Sequence, residues 1–445
     1  MQDFAISIMR TLRERGHLAY LVGGCVRDLL LGREPADYDV ATSALPEGVM
    51  RIFPETYSVG AQFGVVLVPV PKDAVTTDEN KIIEVATFRR DLGYSDGRHP
   101  DEVSFSQNPE EDVMRRDFTI NGMMFDPIEN RVLDFVGGRG DLEAKIIRTI
   151  GDPEKRFGED KLRMLRAVRF AARLGYGIEP LTFRAIQELS VGIHQVSPER
   201  VRDELTKMLT EGKARLAFQL LDETGLLQEV LPEIKAMKGV AQPPQFHPEG
   251  DVFVHTLLLL EKLPHPCAKT LAWGVLLHDL GKPPTFRIAP DRIRFDGHVE
   301  IGVAMARAIC RRLRFSNDET EQILALVENH MRFGDVQKMK ESTFKRFVRM
   351  PEFEQHLELH RLDCLSSHAD LTLYDFTRAK LSAMSPEVMR PKPLITGDDL
   401  IRVGYTPGPR FKEILSSVED AQLEGKLQTE AEALKFVKRN FRLAN

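Results

Sequence analysis

Gly23-Gly24 followed by Asp37-Tyr38-Asp39 constrains this chain more than any other stretch. Tyr20, Leu21 and Val22 read as the end of a short strand, and Val26 to Leu31 as a helix stopped by Gly32. A strand, a Gly-Gly turn and a helix start present backbone N–H groups where a triphosphate can lie, and glycine lets that backbone come close to phosphate. On a strand, Asp37 and Asp39 would point to one face. Two carboxylates on one face suit a divalent ion, and Mg²⁺ with substrate phosphates is the usual use of such a pair. The competing reading is a surface turn, since Asp-x-Asp is common in loops.

Composition narrows the class. The 445 residues predict roughly two to four domains. Hydrophobic content of 42% and charged content of 29% describe a soluble globular chain with a sizeable core. Cys25, Cys267, Cys310 and Cys364 are scattered and make no Cys-x-x-Cys pair, so neither a zinc ribbon nor a disulfide framework is indicated, and a reducing cytoplasm fits. The start has no basic lead before a long apolar core, and no apolar run approaches membrane-spanning length. The net charge of −6 does not advertise a nucleic-acid binder; RNA would need local basic patches.

Residues 2–16 read as an amphipathic helix, and residues 18–22, 64–70 and 82–88 as strands, with Lys72 to Asn80 a polar turn. Glu84 is an acid inside an apolar strand, either at an edge facing water or a third carboxylate beside Asp37 and Asp39. Tyr94 to Val103 reads as a mobile loop able to close on a substrate, or as an ordinary hairpin connection. Residues 131–136 read as another strand, and Gly137 to Asp141 as the close of this first part. Residues 159–175 form a strong helix pattern ending at Gly175. Met164, Leu165, Val168, Ala171 and Ala172 share one face, and Arg163, Arg166, Arg169 and Arg173 the other. No acid interleaves those arginines, so they would repel one another unless an anion lies there; plain solvation is the alternative. Further helices are expected over Leu181–Leu189, Pro198–Leu209, Ala214–Thr224 and Leu227–Ile234, with Ser197 capping the second.

Three motifs stand in order: the Gly-Gly…Asp-x-Asp stretch, Arg115-Arg116-Asp117-Phe-Thr-Ile-Asn121, and Glu159-Asp160-x-x-Arg163. Together they resemble the signature of the class II nucleotidyltransferases, which comprise tRNA nucleotidyltransferases (CCA-adding enzymes) and bacterial poly(A) polymerases. The resemblance spans roughly residues 15–240. It implies CTP and ATP as substrates, tRNA as partner and Mg²⁺ at Asp37 and Asp39, with Glu84 as a third catalytic carboxylate. Gly24, Arg27, Arg116, Asp117 and Asn121 would then hold nucleotide phosphate or sugar; arginine suits phosphate because its planar fork donates two bonds at once. Asp160 and Arg163 would template the base. The carboxylate accepts from the exocyclic amine of cytosine or adenine and the guanidinium donates to the adjacent ring nitrogen, a pattern that uracil and guanine reverse. Arg166 and Arg169 would add further nucleotide contacts, and Tyr94 to Val103 would help the site change from CTP to ATP.

Ala241-Gln-Pro-Pro-Gln-Phe-His-Pro-Glu-Gly250 is a Pro-rich break and an expected domain boundary. Beyond it stand His255 in an apolar helix, His278-Asp279-Leu-Gly-Lys282, His298, His330 and Asp363. Singly, such histidines are usually structural. In this order they resemble the HD-superfamily phosphohydrolase pattern, which implies one transition metal or Mg²⁺ on His255, His278, Asp279 and Asp363. With His298 and His330, Asp279 could bridge a second ion. Imidazole with carboxylate suits Mn²⁺, Ni²⁺, Co²⁺ or Fe²⁺; the alternative is a domain that only holds RNA. Arg332, Lys338, Lys340, Lys345, Arg346 and Arg349, and Lys435, Lys438, Arg439 and Arg442, are candidate tRNA phosphate contacts, or solvated helix faces.

The expected fold class is an α+β nucleotidyltransferase head, with a small mixed or antiparallel sheet, followed by an all-α neck, HD and C-terminal domains. The expected boundaries are 1–150, 151–240, 245–365 and 366–445. The expected activity is CCA addition to tRNA with an HD phosphohydrolase. CC-only, A-only or poly(A) addition are the alternatives, as is an RNA-binding or nucleotide-sensing protein with dead sites. No obligatory protein partner is evident, and no membrane is involved.

Overall fold

The computed structural model describes residues 1–57, 63–71, 81–94, 97 and 100–442, so the turn expected over residues 72–80 lies outside it. The chain forms two compact units, Met1–Lys235 and Ala236–Asn445.

The first unit is built on a six-stranded mixed sheet. Its strands are β1 (Ala19–Val22), β2 (Asp39–Thr42), β3 (Val65–Pro69), β4 (Ile82–Thr87), β7 (Met124–Asp126) and β8 (Arg131–Leu133), in the order β3-β4-β2-β1-β7-β8. β2 and β4 run parallel; the other neighbours are antiparallel. Val and Ile dominate β3 and β4, where branched side chains pack well on a pleated surface. Tyr20, Val22, Ala41, Phe88, Val113, Met124 and Ile150 form a core against the sheet. The helix Gln2–Glu14 buries Ala5, Ile8, Met9 and Leu12, one face at helical spacing.

Several sequence expectations shift here. β2 begins at Asp39, so Asp37 lies ahead of the strand. β5 (Arg89–Leu92) and β6 (Glu102–Phe105) form an antiparallel hairpin, so the Tyr94 to Val103 stretch follows its hairpin reading, with Glu102 and Val103 inside β6. Residues 95–96 and 98–99 of that stretch are outside the described set. The strand expected over 131–136 stops at Leu133, and a helix, Gly138–Ala144, takes the place of the closing turn. Gly138 permits this, since a Cβ there would meet the Thr119 carbonyl oxygen at 2.2 Å.

The single helix expected over 159–175 is two, Pro153–Glu159 and Leu162–Leu174. Asp160 breaks the run in an extended conformation, and its Oδ1 accepts the Leu162 N–H at 3.1 Å. Gly175 ends the second helix at φ 72°, as its position predicts. Helices Pro180–Leu189, Pro198–Thr210 and Ala214–Glu223 follow, but Leu226–Val230 and Pro232–Lys235 replace one longer helix. Proline lacks the N–H that a continuous helix would need there.

The second unit is helical apart from a small hairpin, Arg287–Ile288 with Ile293–Arg294. The Pro-rich segment lies inside this unit, a few residues past its start at Ala236. It folds back within this unit, with Ala241 bridged to Asp251 and Gln242 N–H donating to the Gly250 carbonyl at 3.0 Å. Ile395, Leu400, Tyr405, Ile414, Val418 and Val437 lie in a C-terminal core. Arg332, Lys345, Arg346 and Arg349 of the first basic cluster expected to meet tRNA have internal partners, Arg332 donating to Asn329 Oδ1 at 2.9 Å. Lys345 Nζ donates to the Leu423 carbonyl at 2.7 Å, and Arg346 and Arg349 pair with Glu419 at 2.8 and 2.9 Å. These contacts fix the helix Glu341–Val348 to the helix Pro409–Leu423. Among the described residues no helix is long and apolar enough to cross a membrane.

Candidate active site and a second polar cluster

Asp39 opens β2 and is the register partner of Glu84 on the parallel neighbour β4. Register partners project from the same face. β4 lies between β3 and β2, which removes the edge-strand reading of Glu84. Glu84 is exposed while Ile83 and Val85 on either side are buried. Burial, then Glu84 and Asp37, raise Asp39 to about 7, with Arg116 opposing. This gathering of acids is the condition that a hard divalent cation relieves. Asp37 acts on it as an exposed carboxylate ahead of the strand rather than as a same-face strand partner.

The Gly-Gly turn meets this group. Gly23 sits at φ 76°, and a Cβ there would stand 3.4 Å from Arg116 Nη1 and 3.7 Å from Asp39 Oδ2. Gly24 opens the helix Gly24–Leu30, where a Cβ would meet Arg27 Nη2 at 3.6 Å. Arg27 is buried, pairs with Asp28 and donates to Asn121 Oδ1 at 2.8 Å. Asn121 Nδ2 in turn donates to Asp117 Oδ1 at 3.4 Å. Asp117 Oδ2 accepts from Arg166 at 2.6 and 2.9 Å. Burial alone would raise Asp117, but Arg166 outweighs it and holds the carboxyl below its usual range. Four residues expected at the nucleotide pocket thus form one hydrogen-bonded chain.

The arginine face of Leu162–Leu174 corrects its sequence reading. Acids from other elements meet each guanidinium: Arg163 with Glu159 at 2.8 Å, Arg166 with Asp117, Arg169 with Glu204 at 2.6 Å, and Arg173 with Glu211 at 3.5 Å. No anion is needed to hold these side chains together. Asp160 and Arg163 are not paired with each other: Arg200 holds Asp160 at 2.8 Å, while Arg163 also donates to the Arg115 and Arg156 carbonyls. The sequence reading missed Asp112, whose buried carboxylate holds Arg115 and Arg116 at 2.7 and 3.0 Å. It also missed Phe170, whose ring lies under Arg27, Arg166 and Arg169 at 5.5, 5.4 and 4.4 Å. Glu159, four residues before Arg163, and Asp112, three and four residues before Arg115 and Arg116, stand at helical spacings, whereas Glu204 and Glu211 do not.

In the second unit, His255, His278 and Asp279 place ligand atoms within 4.8 Å of one another, and so do Asp279, His298 and His330. Asp363 Oδ1 lies 3.0 Å from His255 Nε2. His278, His298 and His330 each donate Nδ1–H to a backbone carbonyl three residues earlier, at 2.8, 2.9 and 2.7 Å. That bond fixes the tautomer and leaves Nε2 for the cluster. All three Nε2 atoms are buried without a hydrogen-bond partner. Buried polar atoms are normally satisfied, so these donors fit a metal ion with mixed imidazole and carboxylate ligands. Burial lowers His330 to about 4; it lowers His255 too, but Asp363 and Glu249 outweigh it and bring that ring to about 9. The sequence reading missed Glu249, 2.6 Å from His255 Nδ1, and Gln242 and His247 from the Pro-rich segment. Beside the cluster lies a cavity of about 440 Å³ lined by Phe246, His247, Lys282, Arg292, His298 and Asp363 among others.

Comparison with known proteins gives the family. Residues 19–148 match the poly A polymerase head domain, residues 175–238 a probable RNA-binding region of polymerase A, and residues 298–437 a putative tRNA nucleotidyltransferase domain 2. The CCA-adding enzyme of Geobacillus stearothermophilus is 32% identical over 431 residues, covering 97% of this chain and 95% of that protein. This chain belongs to the CCA-adding enzymes. That makes it a nucleotidyltransferase. A second CCA-adding enzyme, from Lactobacillus johnsonii, is 41% identical over 59% of this chain, a match that spans 65% of that relative's own length. The crystal structure of the Bacillus stearothermophilus CCA-adding enzyme in complex with CTP superposes with a TM-score of 0.73 at 31% identity, over 98% of this chain and 96% of that one.

Proposed function

We propose that this CCA-adding enzyme transfers CMP and AMP from CTP and ATP to the 3′ end of tRNA. The observation that carries the reading is the convergence of Asp39 and Arg116 on the Gly23 turn, with Glu84 beside Asp39 as its register partner. Mg²⁺, when bound at Asp37 and Asp39, supplies charge to the terminal hydroxyl and the departing pyrophosphate. The chain's own task is positioning. Arg116, held by Asp112, faces the phosphates; Arg27, Asn121, Asp117 and Arg166 form the rigid wall behind them. Asp160 and Arg163 read the base edge, each held by a separate partner, with Arg166 and Arg169 beside them. The head at 1–150 and the neck at 151–240 divide that labour, and the enzyme works in the cytoplasm without an obligatory protein partner. The test is tRNA lacking its terminal CCA, incubated with each labelled nucleoside triphosphate. Addition of two C and one A supports the reading; C alone, A alone or a long A tract selects the CC-adding, A-adding or poly(A) alternative.

A second activity has its own observation. The unpartnered Nε2 atoms of His278, His298 and His330 around Asp279 support a metal-dependent phosphohydrolase in residues 245–365. His255, His278, Asp279 and Asp363 would hold a transition metal there, which would supply an activated water for attack on a phosphoester. Hydrolysis of 2′,3′-cyclic AMP, 2′-AMP or p-nitrophenyl phosphate with Mn²⁺, Ni²⁺ or Co²⁺ tests it. Failure with all of them leaves only a structural role for the cluster.

A further inference from the structure

We propose that Lys282 serves as a fixed cation in the second cluster and limits it to one tightly bound divalent ion, although its ligands alone would take two. The inference rests on the metal-site reading above.

The ligand atoms form two sets of three that share Asp279. Asp279 Oδ2 faces His278 and His255 at 3.2 and 3.9 Å, and Oδ1 faces His330 at 3.9 Å. A carboxylate with one oxygen toward each set is arranged to bridge two ions. Lys282 intervenes. Its Nζ lies 2.7 Å from Asp279 Oδ2 and donates to Gln242 Oε1 at 2.6 Å. The residue is 6% exposed, so the ammonium is held in place rather than free to leave for water. Backbone geometry enforces the position: Lys282 N–H bonds the Asp279 carbonyl at 3.0 Å, which keeps the two side chains together.

Charge decides the capacity. An imidazole that ligates a metal is neutral, so in the loaded cluster Asp279, Asp363 and Glu249 bring three negative charges and Lys282 returns one positive charge. One divalent ion then leaves the cluster neutral. A second would leave two uncompensated positive charges in a buried site, one of them against an ammonium on the bridging carboxylate, where screening is weak. Without Lys282 a second ion meets a site still carrying one negative charge.

The measurement is bound metal per chain. Full-length protein carrying Asp39→Asn, which removes the acid that opens β2 in the other unit, is stripped with chelator and titrated with Ni²⁺ or Mn²⁺. Titration calorimetry and elemental analysis count the ions, and the Mn²⁺ spin-resonance spectrum reports whether two are coupled. The chain with Lys282 should take one ion, and any second at least about tenfold more weakly. Lys282→Met should take two, with a coupled spectrum, while Lys282→Arg, which keeps the charge, should stay at one. Lys282→Gln stands in if the Met variant fails to fold by circular dichroism. Two ions of matched affinity with Lys282 present, or one ion in the folded neutral variants, overturns the proposal. If no chain binds an ion, the metal-site reading itself fails and takes the proposal with it.

Discussion

Arg166 donates to Asp117 from 49 residues away, at 2.6 Å, and so ties the helix Leu162–Leu174 to the loop before Asn121. Charge-assisted pairs of this kind are strong because both groups are ionised and the geometry is forked. Arg166→Ala leaves the Asp117 carboxylate largely buried and without its counter-ion. We expect a loss of roughly 2 kcal/mol in urea unfolding, at the low end for such pairs because Arg166 is partly exposed. Arg166→Met with Asp117→Asn should recover much of that stability, though not activity. Equal destabilisation in the single and double variants would show that the pair does not couple the two elements.

Asp39 provides a pH test. Its folded value, about 7, is above that of a free aspartate. Between those values the folded protein holds a proton that the unfolded chain has released, so stability falls as pH rises. Without divalent ions, melting temperature should drop as pH climbs from about 4 through about 7. Mg²⁺ should restore it. Asp39→Asn should flatten this slope, raise metal-free stability at neutral pH and abolish nucleotide addition. A metal-free melting profile unchanged by Asp39→Asn would show that Asp39 is not crowded by Glu84 and Asp37.

What the sequence made legible was periodic or local. Val and Ile content marked β4 and left Glu84 as its one acid; 100° steps placed Met164, Leu165, Val168, Ala171 and Ala172 on the buried face, where the structure has them. What it hid came from elsewhere in the chain. Asp117, Glu204 and Glu211 reach the arginines across 49, 35 and 42 residues, and no helical wheel contains them. The break at Asp160 was hidden because a side chain that bonds its own backbone competes with a helix without changing its apolar pattern. Glu249 and Gln242 were hidden because proline content reads as a break between domains, whereas here a folded-back loop carries both to the cluster.

Arg200 offers a test of the proposed base-reading role of Asp160 and Arg163 that changes neither residue. Its guanidinium bonds both oxygens of Asp160, at 3.3 and 2.8 Å. Arg200→Ala should free that carboxylate to rotate. UTP and GTP use should rise relative to CTP and ATP by several-fold, since the group that opposes their carbonyls is no longer fixed. Lysine at the same position should restore part of the selectivity. A uniform fall for all four nucleotides would assign Arg200 to stability alone.

Glu419 separates structural from RNA-binding arginines. Arg346 and Arg349 both bond it, and so hold two helices of the second unit. Glu419→Gln should lower the melting temperature by a few degrees and leave tRNA affinity nearly unchanged. Were these arginines phosphate contacts, removing their acid would strengthen tRNA binding and steepen its salt dependence.

The last expectation concerns the independence of the two sites. The acids and arginines around Gly23 belong to Met1–Lys235, and the histidine cluster to Ala236–Asn445, with no ligand in common. His278→Ala with Asp279→Ala should therefore remove any phosphohydrolase activity and spare CMP addition. Asp279 is buried and paired with Lys282, so its removal leaves an unpaired buried ammonium, and the double variant should also lose thermal stability. Metal preference should divide the same way. Imidazole ligands favour Ni²⁺, Co²⁺ or Mn²⁺ in the second unit, while carboxylates and phosphates favour Mg²⁺ in the first. Both activities are measured on one purified variant across these metals, with circular dichroism to establish folding. A folded double variant that no longer adds CMP would mean that the cluster is needed to hold tRNA, and that nucleotide addition depends on both units.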